Sequence, residues 1–312
     1  MNYRRLGRTN LEVSEISLGA VELGMEYGIS SGQASGRPSE EEARSILNRA
    51  LDRGINYIDT ARAYGDSEAV IGRALVGRRR EFTLNTKVSS YEEEELYGAA
   101  LRKQVMESVH QSLQALQTDV LDVLMIHSAS DTVIARGELT PILEDCRRSG
   151  CVRYLGASVY GEPAALAVIR SGSFDCVQIA YSVLDRRPEL RVLAAARDHD
   201  VGVVARSVLL KGALTGRYRH LPEPLDLLKQ AIARLVRTAG IDLSELPELA
   251  YRYVLGRSGV HSALVGASNV EELEAAVGYA FLGELSTELL SKISSLDLDD
   301  DELLNPGKWP AV

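Results

Sequence analysis

Residues 120–127 read VLDVLMIH and residues 201–206 read VGVVAR, and both are almost continuous apolar runs. A strand covered on one face alternates apolar and polar residues, whereas a strand buried on both faces reads as a nearly unbroken apolar run. Strands of the second kind belong to parallel sheets that are packed against helices. These two runs therefore predict a parallel sheet at the centre of the fold.

Runs of this kind alternate with amphipathic stretches along most of the chain. Strands are predicted at residues 16–20, 56–59, 82–87, 120–127, 152–158, 176–179, 201–206 and 262–265. The helix after the first strand is predicted from a capping box at Ser39 and Glu42, and it ends near Gly54. Further helices are predicted at residues 66–76, 99–116, 139–149, 163–171, 187–199, 245–256 and 270–280.

Repeated strand–helix units over this length predict a (β/α)8 TIM barrel. An open, doubly wound sheet is the alternative, but no GxGxxG motif follows the first strand. A hairpin at residues 3–14 precedes the barrel, and a long loop with a helix at 225–238 follows its seventh strand. Residues 284–312 add a C-terminal helix and an acidic tail. Because no linker interrupts this pattern, residues 1–312 are predicted to form a single domain.

Composition and charge narrow the function. The chain has 312 residues, of which 45% are hydrophobic, and its net charge is −9, which argues against nucleic-acid binding. The cysteines Cys146, Cys151 and Cys176 form no CxxC pair, and no metal-ligand spacing is present, so no metal site is predicted. Without a signal peptide or a membrane-length apolar run, we expect a cytoplasmic protein that is a monomer or small homo-oligomer and does not bind membranes.

Ionisable side chains end three consecutive predicted strands. The stretch NYIDTARAYGDSE, residues 56–68, ends its strand with Asp59 and carries Tyr64 in its loop, and Lys87 and His127 end the next two strands. Catalytic residues of such barrels lie at the C-terminal ends of the strands. A lone aspartate or lysine there is more often half of a structural ion pair. Four such groups on consecutive strands favour a catalytic set.

These residue types suit the reduction of a carbonyl group. Tyrosine is a proton donor, but its ordinary pKa of about 10 is too high for efficient proton exchange at neutral pH. We expect Lys87 to lower the pKa of Tyr64 and Asp59 to hold the ammonium group in place. Histidine at position 127 would orient the carbonyl oxygen.

With these residues and several further motifs, the chain resembles the aldo-keto reductase superfamily over nearly its whole length. Residues 57–68 are close to the FxxDTAxxYGxSE signature of that family. The other matching motifs are GASVY at 156–160, VQIAYS at 177–182, RSVLLKGALTG at 206–216 and VGASNVEEL at 265–273. The resemblance implies a barrel that uses a nicotinamide cofactor, with Asp59, Tyr64, Lys87 and His127 as its catalytic residues.

The resemblance also implies the cofactor-binding residues. Ser158 and Gln178 would hold the nicotinamide carboxamide, residues 206–216 would cover the pyrophosphate, and residues 265–273 would bind the adenosine 2′-phosphate. The implied set is Ser158, Gln178, Arg206, Ser207, Leu209, Lys211, Gly212, Gly266, Ser268, Asn269 and Glu272. Backbone N–H groups at the start of the last helix can bind a phosphate without an adjacent Arg or Lys. NADP(H) is therefore preferred, and NAD(H) stays open.

Departures from the family pattern bear on the substrate. Arg206 stands where many relatives have an aromatic residue that stacks on the nicotinamide, and a guanidinium group adds charge and hydrogen-bond donors. The residues expected to contact substrate are Glu22, Tyr27, Tyr160 and Trp309. For Trp309, a mobile terminus and a wall of the pocket are both open.

The polar character of this set predicts a polar, sugar-like carbonyl compound as the small-molecule substrate. A narrower resemblance, to the branch associated with bacterial sugar and surface-polysaccharide biosynthesis, agrees with it. A cofactor-binding regulatory protein on the same fold is the alternative function, because fold alone does not separate the two.

Overall fold

Parallel strands close into a barrel in the computed structural model, which describes residues 1–29, 37–92, 96–296, 298 and 300–310. The chain begins with an antiparallel hairpin of β1 (Tyr3–Arg5) and β2 (Glu12–Ser14). The barrel strands are β3 (Ile16–Gly19), β4 (Tyr57–Asp59), β5 (Thr83–Val88), β6 (Leu121–Ile126), β7 (Val152–Val159), β8 (Cys176–Ala180), β9 (Gly202–Arg206) and β10 (Ser262–Gly266). They pair in chain order, and β10 closes the ring against β3. The predicted (β/α)8 barrel with its N-terminal hairpin is confirmed.

Helices surround the barrel. They are α1 (Val21–Gly24), α2 (Glu40–Asp52), α3 (Ser67–Ala74), α4 (Gly98–Ala115), α5 (Asp131–Arg136), α6 (Leu139–Ser149), α7 (Glu162–Ser171), α8 (Val192–Asp198), α9 (Asp226–Ala239), α10 (Leu246–Leu255), α11 (Val270–Ala280) and α12 (Thr287–Ser294). The prediction of one helix over 187–199 is wrong. A 3-10 turn at Arg187–Glu189 contains Pro188 and is separated from α8; proline lacks the N–H that a helix interior needs.

The capping box at the start of α2 forms as the sequence predicts. The backbone N–H of Ser39 donates to Glu42 Oε2 at 2.8 Å, and the Glu42 N–H donates to Ser39 Oγ at 3.3 Å. Apolar side chains of α2 at the helical spacing are buried against the barrel. Local capping and the apolar stripe therefore fix both the start and the orientation of this helix.

The N-terminal end of the barrel is closed by apolar side chains. Leu6 and Val13 from the hairpin pack with Tyr57, Val123 and Met125 inside the barrel. Leu6 approaches so closely that a Cβ added to Gly202 would lie 2.6 Å from its Cγ. This end holds a packed core, so the polar chemistry is confined to the opposite end, as in other barrels of this architecture.

The C-terminal segment returns to the barrel. Leu303, Leu304 and Trp309 are buried, and the indole N–H of Trp309 donates to the Leu303 carbonyl at 3.0 Å. Residues 297 and 299 of the predicted acidic tail lie outside the described residues. Because the segment packs on the barrel and α12 contacts α9, we propose that the chain is one domain. Within the described ranges, no helix has the length and apolarity needed to cross a membrane.

Candidate active site

A buried ion pair lies at the C-terminal end of the barrel. Asp59 is the last residue of β4, Lys87 lies in β5, and the Lys87 Nζ–Asp59 Oδ2 distance is 2.7 Å. Lys87 Nζ also donates to the Thr60 carbonyl at 2.9 Å and to the Tyr64 hydroxyl oxygen at 3.3 Å. The lysine thus connects the carboxylate to the phenol. Because the phenol oxygen accepts this bond, its own hydrogen stays available to another acceptor.

Two amide side chains, one from β5 and one from β8, also hold the aspartate. Asn85 Nδ2 and Gln178 Nε2 both donate to Asp59 Oδ1, the second at 2.7 Å. The register of the sheet explains the first contact, since Asp59 and Asn85 are partners across β4 and β5. Asn85, which lies two residues before Lys87 in β5, was not among the residues predicted from the sequence.

The loop that carries Tyr64 is anchored by close backbone packing. A Cβ added to Gly24 would lie 1.8 Å from the Tyr64 carbonyl oxygen, so only glycine fits there. Ser67 Oγ donates to the Ala20 carbonyl at 2.7 Å, and the buried Glu68 accepts from Thr86 Oγ1 at 2.6 Å. These contacts fix the phenol relative to the strand ends.

Burial sets the protonation state of Tyr64, and the expectation of a lowered pKa is wrong. Desolvation raises the pKa of Tyr64 above its ordinary value, the Asp59 carboxylate adds to the increase, and Arg206 opposes it. The ammonium group of Lys87 is only 2.7 Å from Asp59. The negative charge of Asp59 therefore offsets most of the effect that the Lys87 charge would have on the pKa of Tyr64. The phenol is therefore held in its neutral, proton-donating form.

Lys87 is buried, and His127 is half-buried. Burial lowers the pKa of Lys87, and the Asp59 charge opposes that decrease. Burial, aided by the charges of Lys87 and Arg206, lowers the pKa of His127 to about 3. The imidazole lies edge-on to the Tyr64 ring, with 5.4 Å between centroids and an interplanar angle of 85°. Histidine 127 is thus neutral at physiological pH and carries one N–H donor.

The cleft above these residues has a volume of about 1140 Å³. Most residues of the predicted sets line it, namely Glu22, Tyr27, Asp59, Tyr64, His127, Tyr160, Gln178, Arg206, Ser207, Leu209, Lys211, Gly212, Gly266, Ser268, Glu272 and Trp309. Trp309 is buried and lines the cleft, and its contact with substrate stays a prediction. Lys87 lies behind Tyr64, and Ser158 lies beneath the cleft, bonded to residues that line it.

One end of the cleft is organised by Arg206. Ser158 Oγ donates to Gln178 Oε1 at 3.0 Å and accepts from Arg206 Nε at 3.3 Å. The Arg206 guanidinium also donates to the Val159 carbonyl at 3.0 Å and lies 3.7 Å from the centroid of the Tyr160 ring. Tyr160 therefore occupies one face of the guanidinium group.

The opposite end differs from what the resemblance implies. Asn269 caps α11 by accepting from the Glu272 N–H at 2.8 Å, so its side-chain oxygen is already used. The Ser268 N–H donates to Glu272 Oε2 at 2.9 Å, and Arg217 Nη2 donates to Glu272 Oε1 at 2.9 Å. The carboxylate of Glu272 thus occupies the Ser268 N–H, which was expected to receive a phosphate, and it also binds Arg217. Arg217 was not predicted from the sequence, although it lies in the basic run RYRH at 217–220, just after the motif at 206–216.

The residues of the cleft fit a nicotinamide dinucleotide. Ser158 and Gln178 each keep hydrogen-bonding capacity beyond the bonds described, as a carboxamide requires. The cations Lys211 and Arg217 line the cleft and match the charge of a pyrophosphate. Glu22 Oε2 is buried and has no hydrogen-bond partner among the described residues, so the cleft also offers an unsatisfied polar atom.

Comparison with known proteins agrees with this geometry. A profile of the Aldo/keto reductase family matches residues 15–298. Aldo-keto reductase AKR11C1 from Bacillus halodurans, in its holo form, superposes with a TM-score of 0.79 at 29% identity, covering 96% of this chain and 97% of that one. Oxidoreductase YqkF of Bacillus subtilis is 28% identical, covering 95% of this chain and 96% of its own length. L-galactose dehydrogenase of Arabidopsis thaliana is 28% identical over 100% of this chain and 98% of its own length.

Fold, cleft and relatives together define a nicotinamide-dependent oxidoreductase that acts on carbonyl groups. The chain belongs to the aldo/keto reductase family.

Proposed function

We propose that this protein reduces a polar, sugar-like aldehyde or ketone with NADPH, and that Tyr64 is the general acid. The observation that carries the proposal is the contact of Lys87 Nζ with the phenol oxygen of Tyr64, at 3.3 Å, in a site where burial keeps the phenol protonated. The cofactor supplies the hydride when it is bound. The residues described below supply the proton and hold the carbonyl group.

Each catalytic residue has a role that follows from its protonation state. Tyr64 donates its hydroxyl proton to the carbonyl oxygen as negative charge develops there. Lys87 stabilises the phenolate that this transfer leaves, because its N–H already points at the phenol oxygen. Asp59 keeps the ammonium group in place, and neutral His127 donates an N–H that orients the carbonyl oxygen.

We base the preference for NADP(H) on Arg217, which lines the cleft and reaches Glu272 of α11, beside the loop expected to bind the 2′-phosphate. Glu272 competes for Arg217, so we expect only a modest preference over NAD(H). One relative is named NADH-specific methylglyoxal reductase, and choice of cofactor therefore differs among relatives. We also propose a cytoplasmic location, because all three cysteines are free thiols.

The side chains around the cleft support the proposal of a polar substrate. Arg206, Tyr160 and Tyr27 present a guanidinium group and two phenols. A site built to form hydrogen bonds rejects an analogue that lacks the partner group, because its polar atoms are then left unpaired. Two relatives are named L-galactose dehydrogenase and D-threo-aldose 1-dehydrogenase, and both names refer to sugars.

The test compares wild type with Tyr64→Phe in a stopped assay of NADPH oxidation. Wild type should reduce aldoses or keto-sugars with a higher kcat/KM than benzaldehyde-type compounds. Tyr64→Phe should bind NADPH normally and lose at least about a hundredfold in kcat. Tyr3→Phe, in the exposed hairpin, is the matched control and should behave as wild type. Near-normal turnover of Tyr64→Phe would remove the general acid from the proposal, and NADPH binding without turnover on any carbonyl compound would favour a regulatory protein.

A further inference from the structure

Glu22 carries a buried carboxyl group that the proposed reaction does not use. It lies in α1, directly after β3, and its Oε2 atom is shielded from solvent without a hydrogen-bond partner among the described residues. Buried polar atoms are nearly always hydrogen-bonded, so an unsatisfied carboxyl oxygen that lines a cleft needs an explanation.

The carboxyl group lies against the end of β10. A Cβ added to Gly266 would lie 2.0 Å from Glu22 Oε1 and 2.7 Å from Cδ, so the group rests directly on the glycine backbone. Gly266 begins the loop that leads through Ser268 to α11. This position belongs to the end of the cleft where Glu272 and Arg217 meet.

The charges that face Glu22 come from several elements. Burial raises the pKa of Glu22 to about 7, its own backbone N–H opposes the increase, Glu272 of α11 adds to it, and Arg217 opposes it. Three tyrosines also face the carboxyl group, and burial raises the pKa of each of them: Tyr27, Tyr64 and Tyr251 of α10. The tyrosines therefore stay neutral near pH 7, and the charge that changes there is that of Glu22.

We propose that Glu22 is a binding residue for the diphosphate–ribose part of the cofactor, and that binding is coupled to uptake of a proton by its carboxyl group. The inference rests on the proposed position of the cofactor in the main cleft. A carboxylate here repels a diphosphate, whereas a carboxylic acid donates its O–H to a phosphate oxygen or accepts from a ribose hydroxyl. Either bond gives Oε2 its missing partner. The added negative charge of the ligand shifts the carboxyl group further toward its acid form.

The probe is ADP-ribose, which carries the diphosphate and ribose but neither the nicotinamide nor a titrating 2′-phosphate. Its binding is measured by calorimetry between pH 6 and pH 8.5, in pairs of buffers with different ionisation enthalpies, which gives the number of protons taken up. Wild type should take up close to one proton at pH 8 and about a tenth of one at pH 6, where Glu22 is already protonated. The wild-type series needs no variant, so it remains decisive if a substitution impairs folding.

Glu22→Gln should abolish the uptake at every pH, and at pH 8 it should bind ADP-ribose up to about tenfold more tightly than wild type. Glu26→Gln is the matched control, because Glu26 is an exposed glutamate at the same cleft, and it should retain the wild-type uptake. Wild-type binding without proton uptake at pH 8, or uptake that persists in Glu22→Gln, would overturn the proposal.

The outcomes separate this inference from the proposed reaction. If ADP-ribose fails to bind while NADPH-dependent reduction proceeds, Glu22 has no role at the diphosphate–ribose end and the reductase stands. If ADP-ribose binding takes up a proton through Glu22 while no carbonyl compound is reduced, the inference stands and the proposed reaction fails.

Discussion

Replacing Asp59 with Asn tests whether the ion pair at the barrel end organises the site. The side chains of Lys87 and Asp59 are 0% and 3% exposed, so the substitution leaves a buried ammonium group without its counter-charge. Removing one partner of a buried pair costs about 3–5 kcal/mol. Lys87 can limit the loss by releasing its proton, because burial already lowers its pKa. We therefore expect a decrease of about 3 kcal/mol in the free energy of unfolding, the low end of the range for broken buried pairs.

The assay is denaturant unfolding at pH 7, combined with kcat for a good substrate. Asp59→Asn keeps an oxygen that can accept the hydrogen bonds from Asn85 and Gln178. The decrease in the free energy of unfolding therefore measures the removal of the charge rather than the loss of these hydrogen bonds. The double variant Asp59→Asn/Lys87→Met removes both charges and should recover at least about half of the lost stability, since replacing a whole buried pair is often neutral. Both variants should be nearly inactive.

An exposed pair provides the matched control. Glu40 pairs with Arg73 on the surface at 2.7 Å, and Glu40→Gln should unfold like wild type because exposed pairs contribute little. The reasoning is refuted if Asp59→Asn is as stable as this control. It is also refuted if the double variant is less stable than Asp59→Asn alone, because Lys87 would then not be an unpaired charge in the single variant.

Three further predictions concern the residues around the cleft. Arg217→Met should weaken NADPH binding by about tenfold and NADH binding less, as measured by fluorescence titration; equal losses would show that Arg217 does not contact the 2′-phosphate. Because the pKa of His127 is about 3 in the fold against an ordinary value of 6.5, its contribution to stability is present above pH 6.5 and is lost as pH falls toward 3. The free energy of unfolding of His127→Gln should therefore depend less on pH between pH 5 and 6.5 than that of wild type. Equal slopes of this free energy against pH would contradict a neutral imidazole at position 127. Arg206→Tyr should retain cofactor binding. It should lower the preference for sugars, measured as kcat/KM for sugars divided by kcat/KM for aromatic aldehydes. An unchanged ratio would show that Arg206 does not contact substrate.

The proposed catalytic residues could be located from the sequence because backbone topology brings them together. Asp59, Lys87 and His127 each stand at or next to the C-terminal end of a parallel strand, and adjacent strands place such positions at one rim. Hydrophobic pattern located those ends to within one residue. Asn85 was not predicted because it lies inside a buried strand, where the sequence pattern does not show which residue a single polar side chain contacts. Its role appears only when the register pairs it with Asp59.

The phosphate end of the cleft was less predictable for a different reason. The motif at 265–273 gives the right loop and helix, but it does not reveal that Glu272 binds the Ser268 N–H and the side chain of Arg217. Arg217 comes from a loop that is 55 residues distant along the chain. Side-chain pairs of this kind depend on loop conformation, and loop conformation carries no periodic signal in the sequence.

Protonation states were the property that was hardest to predict from the sequence, because they depend on burial. From residue types alone, a lysine beside a tyrosine should lower the pKa of the phenol. In the fold, Asp59 compensates Lys87, and desolvation dominates at Tyr64, so the shift has the opposite sign. The same desolvation keeps His127 neutral and favours the acid form of Glu22. One physical cause, the burial of these side chains at the C-terminal end of the barrel, therefore favours a neutral phenol at Tyr64 and the acid form of Glu22 in the same cleft.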